Sequence, residues 1–143
     1  MTNTKASDLR GKNAGVWIDH RSAQIVGLSP EGHITSEILS HVEKHPERGG
    51  DSPMRGAYEA QQVPADDRRQ RALTGELNVY YDAVIEALRD YGQLLLFGPG
   101  EAKGELRARL LKRKQDGRVS AVENADHMTH RQIIAKVQSH FGQ

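Results

Sequence analysis

Glu47-Arg48-Gly49-Gly50-Asp51-Ser52-Pro53-Met54-Arg55 sets two adjacent glycines between two arginines. Guanidinium groups fork onto phosphate, and glycine lets backbone approach a ligand closely, so such a stretch suits an anionic, RNA-lined cavity. An ordinary mobile loop has the same composition. With 14 glycines in 143 residues, about one adjacent pair is expected by chance. A second cationic set is Lys103, Arg107, Arg109, Lys112, Arg113, Lys114 and Arg118, set against Glu101, Glu105 and Asp116. Spread along a helix, these cations could contact RNA phosphates. They suit equally a solvated helix face whose C-terminal charges offset the helix dipole.

Three further groups have other chemistry open to them. Asp19 follows an apolar run and could be one ligand of a metal-dependent nuclease, which needs several carboxylates converging on divalent ions. The next comparable position, Phe97-Gly98-Pro99-Gly100, holds no acid before Glu101. His41 and His45 are four apart, with His33 upstream, but Pro46 and the glycines beyond argue against the helix that would align them. Gly98-Pro99-Gly100 could present backbone amides to a phosphate, with Lys103 adding charge. It lacks the Gly-x-x-x-x-Gly-Lys-Ser/Thr spacing of a nucleotide-binding loop, and a structural turn explains it as well.

These residues must be positioned by an α/β framework. Leu94-Leu95-Leu96-Phe97 suits a strand buried on both faces, closed by the Gly-Pro-Gly turn. From Glu101 a helix with Ala102, Leu106 and Leu110 on its inner face runs to about Gln115. Upstream, Val16–His20, Ala23–Leu28 and His33–Leu39 read as three strands of an antiparallel meander. The apolar pattern vanishes over about 40–67. Leu73, Leu77, Tyr80, Tyr81, Val84, Leu88 and Tyr91 then recur at helical steps up to Gly92. Val119–Val122 is a short fifth strand, and Thr129-His130-Arg131-Gln132 forms a capping box for a last helix with Ile133, Ile134 and Val137 inward.

Composition bounds the rest. The chain has 143 residues, 36% hydrophobic and 27% charged, which suits one globular domain: a flexible stretch over 1–13, then a single domain over 14–143. The net charge of +1 gives no global signal for nucleic acid, so any basic patch is local. Absence of cysteine excludes disulfides and thiol chemistry. Without an apolar leader or a bilayer-length apolar run, the expected location is cytoplasmic, with no membrane partner. No cofactor or metal is expected.

The element order β-β-β-α-β-α-β-α is that of the ribonuclease-H-like fold, a mixed sheet with helices on both faces. Tyr80-Tyr81-Asp82-Ala83-Val84-Ile85-Glu86-Ala87-Leu88, followed by Leu94 to Gly100 and Lys103, is similar to the central domain of the class-1 peptide release factor of eukaryotes and archaea, and to the matching domain of Pelota. The resemblance runs from about Asn13 to Phe141 and implies that same fold. It also implies a stand-alone version of one domain, since the chain leaves no room for codon-reading or partner-binding domains.

In the release factor, the loop between the third strand and the first helix carries an Arg-Gly-Gly-Gln-Ser-x-x-x-Arg-like pattern that acts in the peptidyl-transferase centre. Arg48, Gly49, Gly50 and Ser52 fit it and Arg55 matches less closely, whereas Asp51 stands in place of the glutamine. Pelota lacks the pattern. The resemblance therefore implies a translation-associated factor that binds the ribosome, rRNA or tRNA through Arg48 and Arg55, with Lys103, Arg107, Lys112, Arg113 and Lys114 on phosphate. Termination or rescue of stalled ribosomes would be its setting.

An enzyme is the alternative. Gly49, Gly50 and Asp51 could serve peptidyl-tRNA hydrolysis, or Asp19 a nuclease. An ionised aspartate only accepts hydrogen bonds and repels a developing oxyanion, although backbone amides of Gly50 and Asp51 could still position water. A pure protein-interaction module is a third reading.

Overall fold

The computed structural model describes residues 12–42 and 62–142. Most of the expected loop and nearly all of the expected N-terminal stretch lie outside them. The strands are β1 (Asn13–Ile18), β2 (Ser22–Ser29), β3 (Gly32–Leu39), β4 (Gln93–Gly98) and β5 (Val119–Asn124). The helices are α1 (Gln62–Ala87), α2 (Ala102–Lys112) and α3 (His130–His140), with a 3-10 turn at Asp116–Arg118. One five-stranded sheet has the order β3-β2-β1-β4-β5. β1 is antiparallel to β2 and parallel to β4, β2 is antiparallel to β3, and β4 is parallel to β5. This mixed sheet with its three helices is the expected ribonuclease-H-like α/β architecture.

Alternation of side chains along the central strands divides the core in two. Val16, Ile18, Leu94 and Leu96 point to one face and pack with Tyr80, Val84, Leu88, Leu106 and Leu110, from α1, α2 and the turn ending α1. Trp17, Leu95 and Phe97 point to the other face and pack with Ile133 and Val137 of α3. β4 has no polar alternation because both of its faces are covered. Close approach keeps two sheet positions small: a Cβ on Gly15 would meet Val137 Cγ2 at 2.3 Å, and one on Gly27 the Tyr91 hydroxyl at 2.0 Å.

Several boundaries differ from the sequence reading. β1 ends at Ile18, not His20, because Asp19 turns the chain. Its amide donates to Ser22 O at 3.0 Å, and its Oδ1 accepts from the amides of Arg21 and Ser22, each at 2.8 Å. α1 begins at Gln62, inside the stretch read as loop. Pro64 is tolerated there because a first-turn amide has no helical acceptor to lose. β5 continues to Asn124. The capping box is as expected: Thr129 Oγ1 accepts from Gln132 N at 3.1 Å, and Gln132 Oε1 accepts from Thr129 N at 2.9 Å. No helix among the described residues is long and apolar enough to cross a membrane.

Tyr80 and Tyr81 give the domain a defined alkaline limit. Tyr80 donates its hydroxyl to Asp19 O at 2.9 Å, and Tyr81 to Glu105 Oε1 at 2.5 Å. Burial, more than these neighbours, drives both phenol pKa values well above the ordinary range. A pKa raised in the folded state stabilises fully below the unfolded value of about 10 and is lost above it. Denaturant titrations should show stability falling beyond about pH 10, by up to about 1.4 kcal/mol per pH unit for each tyrosine. Tyr80→Phe combined with Tyr81→Phe should flatten that limb. An unchanged limb would assign it to other groups.

Candidate nucleic-acid interface

Arg48, Gly49, Gly50, Asp51 and Arg55 lie outside the described residues, in the chain between β3 and α1. The basic set on and after α2 is described, and the structure sorts it into two kinds of residue.

Three cations are taken up by the fold. Lys103 is 92% buried, with 8% exposed, and its ammonium donates to Gly100 O at 2.6 Å. It holds the Gly98-Pro99-Gly100 turn against its own helix. Arg109 forks onto Asp82, Nε to Oδ1 at 2.8 Å and Nη2 to Oδ2 at 2.9 Å, joining α2 to α1. That hydrogen bonding holds the Asp82 carboxyl below its ordinary pKa. Arg118 caps α1: its Nη2 donates to Leu88 O at 2.5 Å and Tyr91 O at 2.6 Å, and its Nη1 to Gln115 Oε1 at 2.6 Å. Leu88 and Tyr91 follow the last residue of α1, and the Leu88 carbonyl also accepts from Tyr91 N at 3.1 Å, so the guanidinium braces the turn that closes the helix.

The others face outward. Arg107, Lys112 and Lys114 are exposed and make no ion pair with a carboxylate among the described residues, while Arg113 makes a 3.5 Å contact with Asp82. They do not form one row. Five residues along a helix place Arg107 and Lys112 about 140° apart. Lys114 stands just past the helix with φ +60°. A ligand touching all of them would have to wrap α2.

Lys112 overlooks a groove of about 500 Å³ between α1 and α2. Its opposite wall carries Gln70, Thr74 and Asn78, one helical turn apart, with Leu77 and Tyr81 beneath. Arg68 is exposed two residues before that row. Sequence reading missed this wall because it followed the apolar positions from Leu73 onward, and Gln70, Thr74 and Asn78 carry no apolar signal. The charged run Asp67-Arg68-Arg69-Gln70-Arg71 was the available signal for a helix surface.

The remaining candidates are dispersed. Asp19 lies past the end of β1 rather than on it, its carboxylate engaged by the turn amides. His33 is on β3, exposed His41 has φ +64°, and His45 lies outside the described residues. Among the described residues no three of His, Asp and Glu come together as metal ligands.

The sheet order and the two-sided core define a ribonuclease-H-like α/β domain. No protein-family model matches the chain, and no curated protein sequence matches it. Solved structures do match. The Pelota protein of Thermoplasma acidophilum superposes over 96% of this chain and 35% of its own, with TM-score 0.54 and 17% identity. An archaeal translation termination factor, aRF1, superposes over 93% of this chain and 36% of its own, with TM-score 0.54 and 10% identity. Pelota of Archaeoglobus fulgidus covers 87% and 29%, with TM-score 0.51 and 15% identity. At these identities the likeness is one of fold, and this chain spans about a third of the length of those proteins.

Proposed function

We propose that this domain is a translation-associated factor that binds the ribosome or tRNA through the Arg48-Gly49-Gly50 loop, in termination or in rescue of stalled ribosomes. The observation that carries the reading is a coincidence of place. A fold shared with a termination factor and with Pelota carries its Arg-Gly-Gly sequence between β3 and α1, where the release-factor resemblance puts its functional loop. Arg48 and Arg55 supply phosphate contacts, and Arg107, Lys112, Arg113 and Lys114 add charge on and just after α2. Lys103 is left to its structural role.

Co-sedimentation with ribosomes across a salt series tests this reading. Association should weaken steeply with salt, as counterion release requires. Replacing Arg48 and Arg55 together with alanine should lower the slope of log affinity against log salt by about 2. A double variant that sediments like the parent at every salt concentration would remove the loop from the interface.

Gly49, Gly50 and Asp51 carry the enzymatic version of the same reading. Release of labelled peptide from peptidyl-tRNA, lost on Gly50→Ala, would add hydrolysis to binding. Binding without release would agree with Asp51 standing where the release-factor pattern has glutamine.

A further inference from the structure

β3 ends the sheet on the side away from β4, and its outer edge meets no other strand among the described residues. Ser40 N donates to Arg21 O at 2.9 Å, which fixes the hydrogen-bonding parity of the strand. Counting back in twos, Ile38, Ser36, Ile34 and Gly32 direct their amides and carbonyls to β2. His33, Thr35, Glu37 and Leu39 direct theirs outward. This edge runs eight residues in unbroken register, with no proline, lysine or bulge among the usual devices that discourage strand addition. Ile34 is 67% exposed and Leu39 52%.

We propose that β3 pairs antiparallel with β3 of a second copy of this chain, about a twofold axis through Thr35. The sequence is complementary to itself in that register. His33 falls opposite Glu37 of the second copy and Glu37 opposite its His33, so each imidazole meets a carboxylate, with the two threonines between them. All three are outward-bonding residues, so backbone and side-chain pairing agree. On the other sheet face, Ile34 comes diagonal to Ile34 and Ile38 of the second copy, covering the exposed Ile34 and the outer part of Ile38, which otherwise packs against the core. Sliding the axis one residue to Ser36 would put His33 opposite Leu39 and Glu37 opposite Thr35. Sliding it to Glu37 would oppose the two carboxylates. The result joins two five-stranded sheets into one ten-stranded sheet.

Sedimentation equilibrium of the full chain, up to several hundred micromolar, tests the pairing; the expected result is a monomer–dimer equilibrium. Thr35→Pro removes an outward amide that no other strand pairs among the described residues, so it should give monomer while circular dichroism stays native. Glu37→Lys should weaken dimerisation by about tenfold. His33→Glu combined with Glu37→Lys should restore it, because a carboxylate then faces an ammonium at both positions. A parent that is monomeric throughout overturns the proposal. So does a dimer indifferent to both Thr35→Pro and Glu37→Lys, and failure of the double variant to recover overturns the register.

Discussion

Replacing Gly98 with alanine is expected to lower the thermal unfolding midpoint by about 10 °C or more, the equivalent of about 3 kcal/mol for a domain of this size. Gly98 closes β4 with φ +145°, a conformation that L side chains rarely adopt. An added Cβ would stand 2.3 Å from Ile18 O and 3.1 Å from Ile18 N. Those are backbone atoms of the central strand, paired on both sides, and cannot swing away as a flexible side chain would. The Gly98 carbonyl also accepts from Ala125 N at 3.1 Å, so a shift there would disturb the segment after β5. Gly100→Ala is the control. Gly100 has φ +65° but open space around its Cβ position, so the cost should be about 1 kcal/mol. Equal losses in the two variants would show that conformation alone, not collision, makes Gly98 necessary.

Replacing Arg118 with alanine should cost about 2–3 kcal/mol in a urea titration. The change leaves the Tyr91 carbonyl without its guanidinium donor, takes one of two donors from the Leu88 carbonyl, which keeps Tyr91 N at 3.1 Å, and removes the link to Gln115. Burial lowers the guanidinium pKa, yet a group starting so far above neutrality stays charged. Arg118→Lys should recover part of the loss, since an ammonium can reach one carbonyl but cannot fork across two. Arg107→Ala, at an exposed position, should change stability by less than about 0.5 kcal/mol. If the Arg118 and Arg107 variants unfold at the same urea concentration, Arg118 does not cap α1. Under the proposed function, the two variants should separate the other way in ribosome binding.

Much of the framework was legible because it follows from periodicity. Leu94 to Phe97 could be read as buried on both sides from continuous apolarity, and the structure sends Leu94 and Leu96 to one core and Leu95 and Phe97 to the other. The capping box at Thr129 is a local motif, and local motifs survive translation into structure. The fates of the cations were not legible. Lys103, Arg109 and Arg118 look in sequence like members of a solvated set. Their acceptors are the Gly100 carbonyl, the Asp82 carboxylate and the Leu88 and Tyr91 carbonyls, the last two elements up to 30 residues away along the chain. Only folding brings a distant carbonyl to a guanidinium, so charge pattern alone could not tell a capping arginine from a free one. The start of α1 was hidden for a different reason: Pro64 reads as a breaker, although a first helical turn accepts proline.

The parallel pairing of β1 with β4 has a bearing on folding and on evolution. Hairpins β1–β2 and β2–β3 close over turns of three and two residues and can form in microseconds. Trp17 meets Phe97 only after 80 intervening steps of chain are gathered in, so that closure carries the larger entropic cost and should set the folding rate. The same logarithmic dependence makes the cost insensitive to small changes in length. Adding ten residues between β3 and α1 would raise it by only about 0.1 kcal/mol. That part of the chain is thus nearly released from the demands of the sheet, and its length and composition can drift under selection by whatever it touches.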